Sequence, residues 1–348
     1  MHYDGLITKI KAMRGRMLTM GDFETLTGMK SVNEIGKKLQ GFPGYQDALS
    51  QLTDADMHRN VLERKLVLAL SEDFSRIYSF ITSFSIRAFL DGFFMNMEIS
   101  VIKLLLCMVY DERDIVYTLP ELSRLISKKF RVNIQGLMDA KTVPEFIEAL
   151  KGTPYYGVLS GHYEEGSSLF EMETQLDLYY YMHLWELTDE NLDKRNRRIM
   201  KDIIGTEIDL YNIVCVYRLK SAYSVENEKI YSYLIPIQHK LDQKQLAAMV
   251  ESRDAQELTA AIDATAYRQA FARFSSTNNV FHGYMLKTYA DAAKKYPRSL
   301  AGTMGYIFGK QVEISNLTTA MECVRYGLGQ DEIMRRLHLR GVRGGDYA

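Results

Sequence analysis

Apolar residues recur at steps of three and four through most of this chain, the spacing of one face of an α-helix. In residues 3–18, Leu6, Ile10, Met13 and Met17 share one face while Lys9, Lys11, Arg14 and Arg16 turn away, which predicts an amphipathic helix. Gly21 and Asp22 open a short helix through Thr27. Asn60 to Asp91 predicts a long helical stretch kinked around Ser79–Ser85, with Gly92 as a break and Glu98 as the next helix start. The glycines and serines between Gly157 and Ser168 predict a loop. Beyond it, Leu169 to Leu187 reads as a long Tyr-rich helix and Asn278-Asn279 as a turn. Tyr284 to Lys295 reads as a helix, Pro297 opens another that runs toward Arg325, and the glycine-bearing tail from Leu339 is expected to fray.

Two signatures repeat within this pattern. Glu98-Ile99, Glu207-Ile208 and Glu313-Ile314 each open an apolar stretch, and Cys107, Cys215 and Cys323 follow them at equal gaps of 108 residues. Glu at these places favours the positive end of a helix dipole or faces solvent, and each cysteine is expected to fill a small buried slot. The second signature runs from Glu34, Glu145 and Glu257 into Tyr45, Tyr155 and Tyr267. Its Glu begins a short amphipathic helix, and its Tyr packs back with a wet hydroxyl. Two unrelated signatures sharing a period of about 110 residues predict one helical bundle used three times. The expected units are residues 1–97, 98–206 and 207–312, with 313–348 as closing helices that pack back on the first.

Composition supports helices and excludes little else. Six prolines and abundant Met, Leu, Ala, Glu, Lys and Arg lean to an all-α fold. A formal net charge of −1 gives no global push toward nucleic acid or anionic lipid. Basic residues interrupt every early apolar run, so no secretory signal is expected to open the chain. The most apolar regions, Ile77–Phe94 and Ile99–Tyr110, contain Arg87, Asp91 and Lys103, so no stretch of about 20 apolar residues is expected to span a bilayer. Cysteines far apart in sequence fit a reducing compartment.

Candidate chemistry is sparse. The cysteines lack the close Cys or His pairs that zinc sites draw from local sequence. Asp111, Glu112 and Asp114 resemble the acidic clusters that hold magnesium in all-α prenyl-transfer enzymes, but without the second Asp of that spacing; they read as a solvated turn after an apolar helix. Lys194, Arg195, Arg197, Arg198 and Lys201 read as a solvated helix face balanced by neighbouring acids. Arg335, Arg336, Arg340 and Arg343 have no matching acidic set and are the candidate partner-binding residues. No phosphate loop, dinucleotide fingerprint or nucleophile motif is present, so no catalytic residue, cofactor or metal ligand is expected.

Specific stretches resemble the C subunit of bacterial and archaeal V/A-type ATPases, whose eukaryotic relative is the d subunit of the vacuolar proton pump. Residues 3–26 are similar to that family's opening helix and following short helix. Residues 32–49 follow its Glu-to-Tyr frame, with Phe42 and Gly44 where Thr and Tyr are usual. Residues 297–337 resemble its closing segment most closely, with Gln311-Val312 in place of the usual Lys-Glu before Glu313-Ile314.

The resemblance implies a funnel of three similar helical bundles with a pseudo-threefold repeat. It implies a non-catalytic rotor subunit, a socket between the central axle and the membrane rotor ring. The expected partners are the ring subunits and axle subunits of D and F type, with no nucleic acid and no direct membrane span. The expected place is peripheral, on the cytoplasmic face of the membrane, in a complex that couples ATP hydrolysis or synthesis to proton or sodium transport. The rival reading is a helical repeat scaffold for protein–protein contact unrelated to rotary ATPases.

Overall fold

Short polar residues cap several of the helix starts. In the computed structural model, which describes residues 4–115, 117, 122, 132–223, 225–273 and 277–339, every element is helical. Thr19 caps the helix Met20–Thr27 in a reciprocal box with Asp22, and Ser168 does the same with Glu171 for the helix Leu169–Asn191.

The described chain falls into two compact units: residues 1–83, 194–203 and 267–348, and residues 84–193 and 204–266. These boundaries differ from those set by the sequence period. They follow which helices pack together, and helix Lys194–Arg218 contributes residues to both.

The first unit contains α1 (Asp4–Arg14), α2 (Met20–Thr27), α3 (Val32–Gln40), α4 (Gln46–Leu49) and α5 (Arg59–Ser79). Its axis is the 25-residue helix Ala301–Arg325, buried along its length from Met304 to Val324 and packed against α1, α2, α3 and α5. The Arg14 guanidinium donates to the Gly302 carbonyl at 3.1 Å, and the Gln330 amide donates to the Glu24 carbonyl at 2.7 Å. First and last segments therefore share one core.

The second unit is organised by α6 (Phe84–Tyr110), a 27-residue helix that runs unbroken through both Gly92 and Glu98. Gly92 is not a break. A Cβ there would stand 2.2 Å from Leu187 Cδ1, so the glycine lets α6 lie close against helix Leu169–Asn191. The expected kink falls at residues 80–83, where α5 ends and α6 begins. α6 is long and apolar enough to cross a membrane by length and composition, but 61% of its most apolar stretch is buried inside the protein. Joining the two apolar regions of the sequence into one helix is what produces that length. Asn278 and Asn279 likewise lie inside the helix Thr277–Lys295 rather than in a turn.

Candidate functional site

The second sequence signature becomes three closely similar helix starts. Ser31, Thr142 and Asp254 each accept from the backbone N–H three residues on, at Glu34, Glu145 and Glu257. Each of those glutamates then accepts from a backbone N–H four residues earlier, Lys30 at 3.0 Å, Lys141 at 2.8 Å and Arg253 at 2.9 Å. The carboxylates also sit where the helix dipole favours negative charge. The tyrosines that close the signature, Tyr45, Tyr155 and Tyr267, are all buried.

The first signature is corrected. Glu98, Glu207 and Glu313 neither start helices nor face solvent; each lies mid-helix and is at most 6% exposed. A carboxylate is costly to bury unless donors replace its water. Glu313 is well supplied: Oε1 accepts from the Tyr45 hydroxyl at 2.5 Å and from Lys310 Nζ at 2.6 Å, and Oε2 accepts from the Leu18 N–H at 2.7 Å. Lys310 is itself 1% exposed, with its ammonium 3.8 Å from the centre of the Tyr45 ring. Tyr155 lies against Glu98; burial, then that carboxylate, pushes its phenol well up. Among the described residues, Glu207 accepts only from the Tyr181 hydroxyl, at 3.1 Å. Burial pushes its carboxyl up to about 7, against a small opposing pull from that hydrogen bond.

The cysteines do not occupy equivalent slots. They follow their glutamates by nine, eight and ten residues, so they point in different helical directions at about 100° per residue. Cys323 is buried, whereas Cys107 and Cys215 are only partly so. Burial raises the Cys215 thiol to about 12, so it is no nucleophile at neutral pH. A better register mark is the turn 14 residues after Glu98 and Glu313, where Glu112 has φ 54° and Gly327 has φ 71°. In both turns the backbone closes with the same bond pair: Arg113 to Met108 and Glu112 to Val109, then Leu328 to Cys323 and Gly327 to Val324.

That turn also explains the acidic cluster. Asp111 is paired with Arg113, and Glu112 supplies the left-handed residue that ends α6, as the solvated-turn reading expects. Among the described residues, no group of three His, Cys, Asp or Glu side chains is placed to hold a metal ion. Lys194, Arg195, Arg197 and Arg198 are exposed at the start of their helix, while Asn196 between them is buried and accepts from the Leu300 N–H at 3.1 Å. Arg335 and Arg336 are exposed on the helix Gln330–Arg336, and Arg336 pairs with Glu332 at 2.7 Å. Arg340 and Arg343 lie outside the described residues.

The chain matches the ATP synthase (C/AC39) subunit family over residues 6–336. It is 25% identical over 352 residues to the A-type ATP synthase C subunit of Methanosarcina mazei, covering 97% of this chain and 92% of that one. It is 23% identical over 347 residues to the protein of the same name from Methanobrevibacter smithii, covering 94% of this chain and 86% of that one. The relative from Archaeoglobus fulgidus is 25% identical, with 95% of each chain covered. A match of this extent displaces the reading of a scaffold unrelated to rotary ATPases.

Proposed function

The chain belongs to the ATP synthase (C/AC39) subunit family, and from that premise we propose that it is a non-catalytic central-stalk component of a V/A-type ATPase. In this reading three related helical bundles form a funnel. The funnel rests on the membrane rotor ring and receives the foot of an axle built from D- and F-type subunits. It carries torque between ATP hydrolysis or synthesis and the movement of protons or sodium ions, and sits peripherally on the cytoplasmic face.

The observation that carries the reading is the family match across residues 6–336. Physical features support it. A part that carries torque must resist twisting and register slip. The chain devotes helices of 27, 23, 25 and 25 residues to its cores. Buried polar ties fix their register, because such a bond is lost if one helix slides by a turn. Arg335, Arg336, Arg340 and Arg343 are proposed as contacts to an acidic face of a neighbouring protein of the complex.

The test is capture of the tagged chain from its own cells under mild detergent. Recovery of axle and ring subunits supports the assignment; recovery of the chain without any of them contradicts it.

A further inference from the structure

A small cavity of about 70 Å3 opens in the first unit between α1, α5 and the helix Ala301–Arg325. Its wall carries four cationic side chains, Lys9, Arg16, Arg76 and Lys310, and one carboxylate, Asp73. Asp73 is already engaged: the Tyr306 hydroxyl donates to it at 2.6 Å and Arg76 at 3.2 Å. Lys310 is matched by Glu313, which lies behind the wall. Lys9 and Arg16 form no ion pair among the described residues, and Lys9 only approaches the Phe80 ring, at 5.6 Å from its centre. Among the described residues, the cavity thus holds two positive charges that no carboxylate offsets.

The buried ammonium adds a second, independent sign. An ammonium has three donors. Lys310 Nζ donates to Glu313 and lies over the Tyr45 ring, and no hydrogen bond to a further described group uses its remaining donors beside the cavity that the residue lines. Gly44 lies close to that ammonium and closer still to the Arg16 backbone. A Cβ on Gly44 would stand 3.5 Å from Lys310 Nζ and 2.7 Å from the Arg16 carbonyl oxygen.

We propose that this cavity binds a phosphate-type oxyanion, held by Lys9, Arg16 and the free donor of Lys310. Size narrows the class: about 10–15 Å3 of such space holds one water, so the cavity has room for a small tetrahedral oxyanion and lies far below the roughly 300 Å3 at which drug-sized ligand sites begin. Charge decides the sign, since a cation would enter against the unpaired charges of Lys9 and Arg16. Cationic donors around an oxyanion give short, charge-assisted hydrogen bonds. The oxyanion is inorganic phosphate or the terminal phosphate of a nucleotide whose remainder stays in solvent. The site is independent of the proposed rotary role.

Isothermal titration of the full-length chain with inorganic phosphate, at low ionic strength and neutral pH, tests it. Saturable binding of one phosphate per chain is expected. The double variant K9Q/R16Q lowers affinity by at least about tenfold, the loss of two charge-assisted contacts. Its thermal midpoint without phosphate stays that of the parent, because both side chains lie outside the core. Ala12→Glu, which places a carboxylate on an exposed part of the wall, weakens binding to a similar degree. A parallel titration with ADP separates the sources. Tighter binding of ADP, lost in the same variants, assigns a nucleotide phosphate; binding of phosphate alone assigns the free ion. The absence of saturable binding by either probe, or affinities unchanged in both K9Q/R16Q and Ala12→Glu, overturns the proposal.

Discussion

Glu207 and Glu313 stand at corresponding places in the first sequence signature, each buried in the middle of a 25-residue helix, yet they are accommodated in opposite ways. Glu313 receives a phenol, an ammonium and a backbone N–H, two of them from residues 268 and 295 positions away. Glu207 receives one phenol from the adjacent helix and rises to about 7. The burial of a carboxyl can be offset by gathered donors or by taking up a proton. The first solution ties distant parts of the chain together. The second leaves a group that titrates near neutral pH.

The largest expected effect breaks the Glu313 arrangement. Replacing Lys310 by Met leaves the carboxylate buried without its ammonium and lowers unfolding free energy by about 3–5 kcal/mol in urea titration. A loss below about 1 kcal/mol would show that the tie is replaceable by apolar packing.

A pH-dependent effect of intermediate size sharpens the contrast. The folded-state value of Glu207, about 7, lies above its ordinary 4.5, so the folded chain binds the extra proton between those values. The associated stability is full below pH 4.5 and is lost as pH rises through about 7. Its size is on the order of 3 kcal/mol. Glu207→Gln, which mimics the protonated form, should match the parent near pH 4.5 and exceed it above pH 7; a constant difference across that range would contradict the assignment. The comparison must be parent against variant, because His338 slopes the other way. Burial, then His282, holds His338 down near 4, so its contribution is lost as pH falls from 6.5 through about 4.

The smallest effect concerns the two matching turns. Glu112 adopts the left-handed conformation that Gly327 adopts freely. Glu112→Gly should therefore stabilise the chain by about 0.5–1 kcal/mol, whereas Gly327→Ala should cost a comparable amount in thermal unfolding.

What was legible in the sequence was local. The three helix starts were read from the repeated Glu34, Glu145 and Glu257, and the Ser31, Thr142 and Asp254 caps found beside them act within one turn of backbone. The turn at Asp111–Asp114 was legible for the same reason. The burial of Glu98, Glu207 and Glu313 was not, because the partners that permit it come from other helices. A glutamate beside an isoleucine reads as a helix edge until Tyr45 or Tyr181 is known to face it. Lys310 and Glu313 are one turn apart, a spacing as common on a solvated helix face as in a core, so the pair does not by itself announce burial. The even cysteine spacing misled because equal intervals in sequence are not equal angles on a helix.

The central claim, that this chain couples an axle to a membrane rotor, is tested most directly by ATP-driven ion uptake in vesicles. The measurement uses the organism's own rotary ATPase reassembled with and without the chain. The account predicts that without it ATP hydrolysis continues while ion uptake is lost, and that adding the purified chain restores uptake. Equal uptake with and without the chain would contradict it.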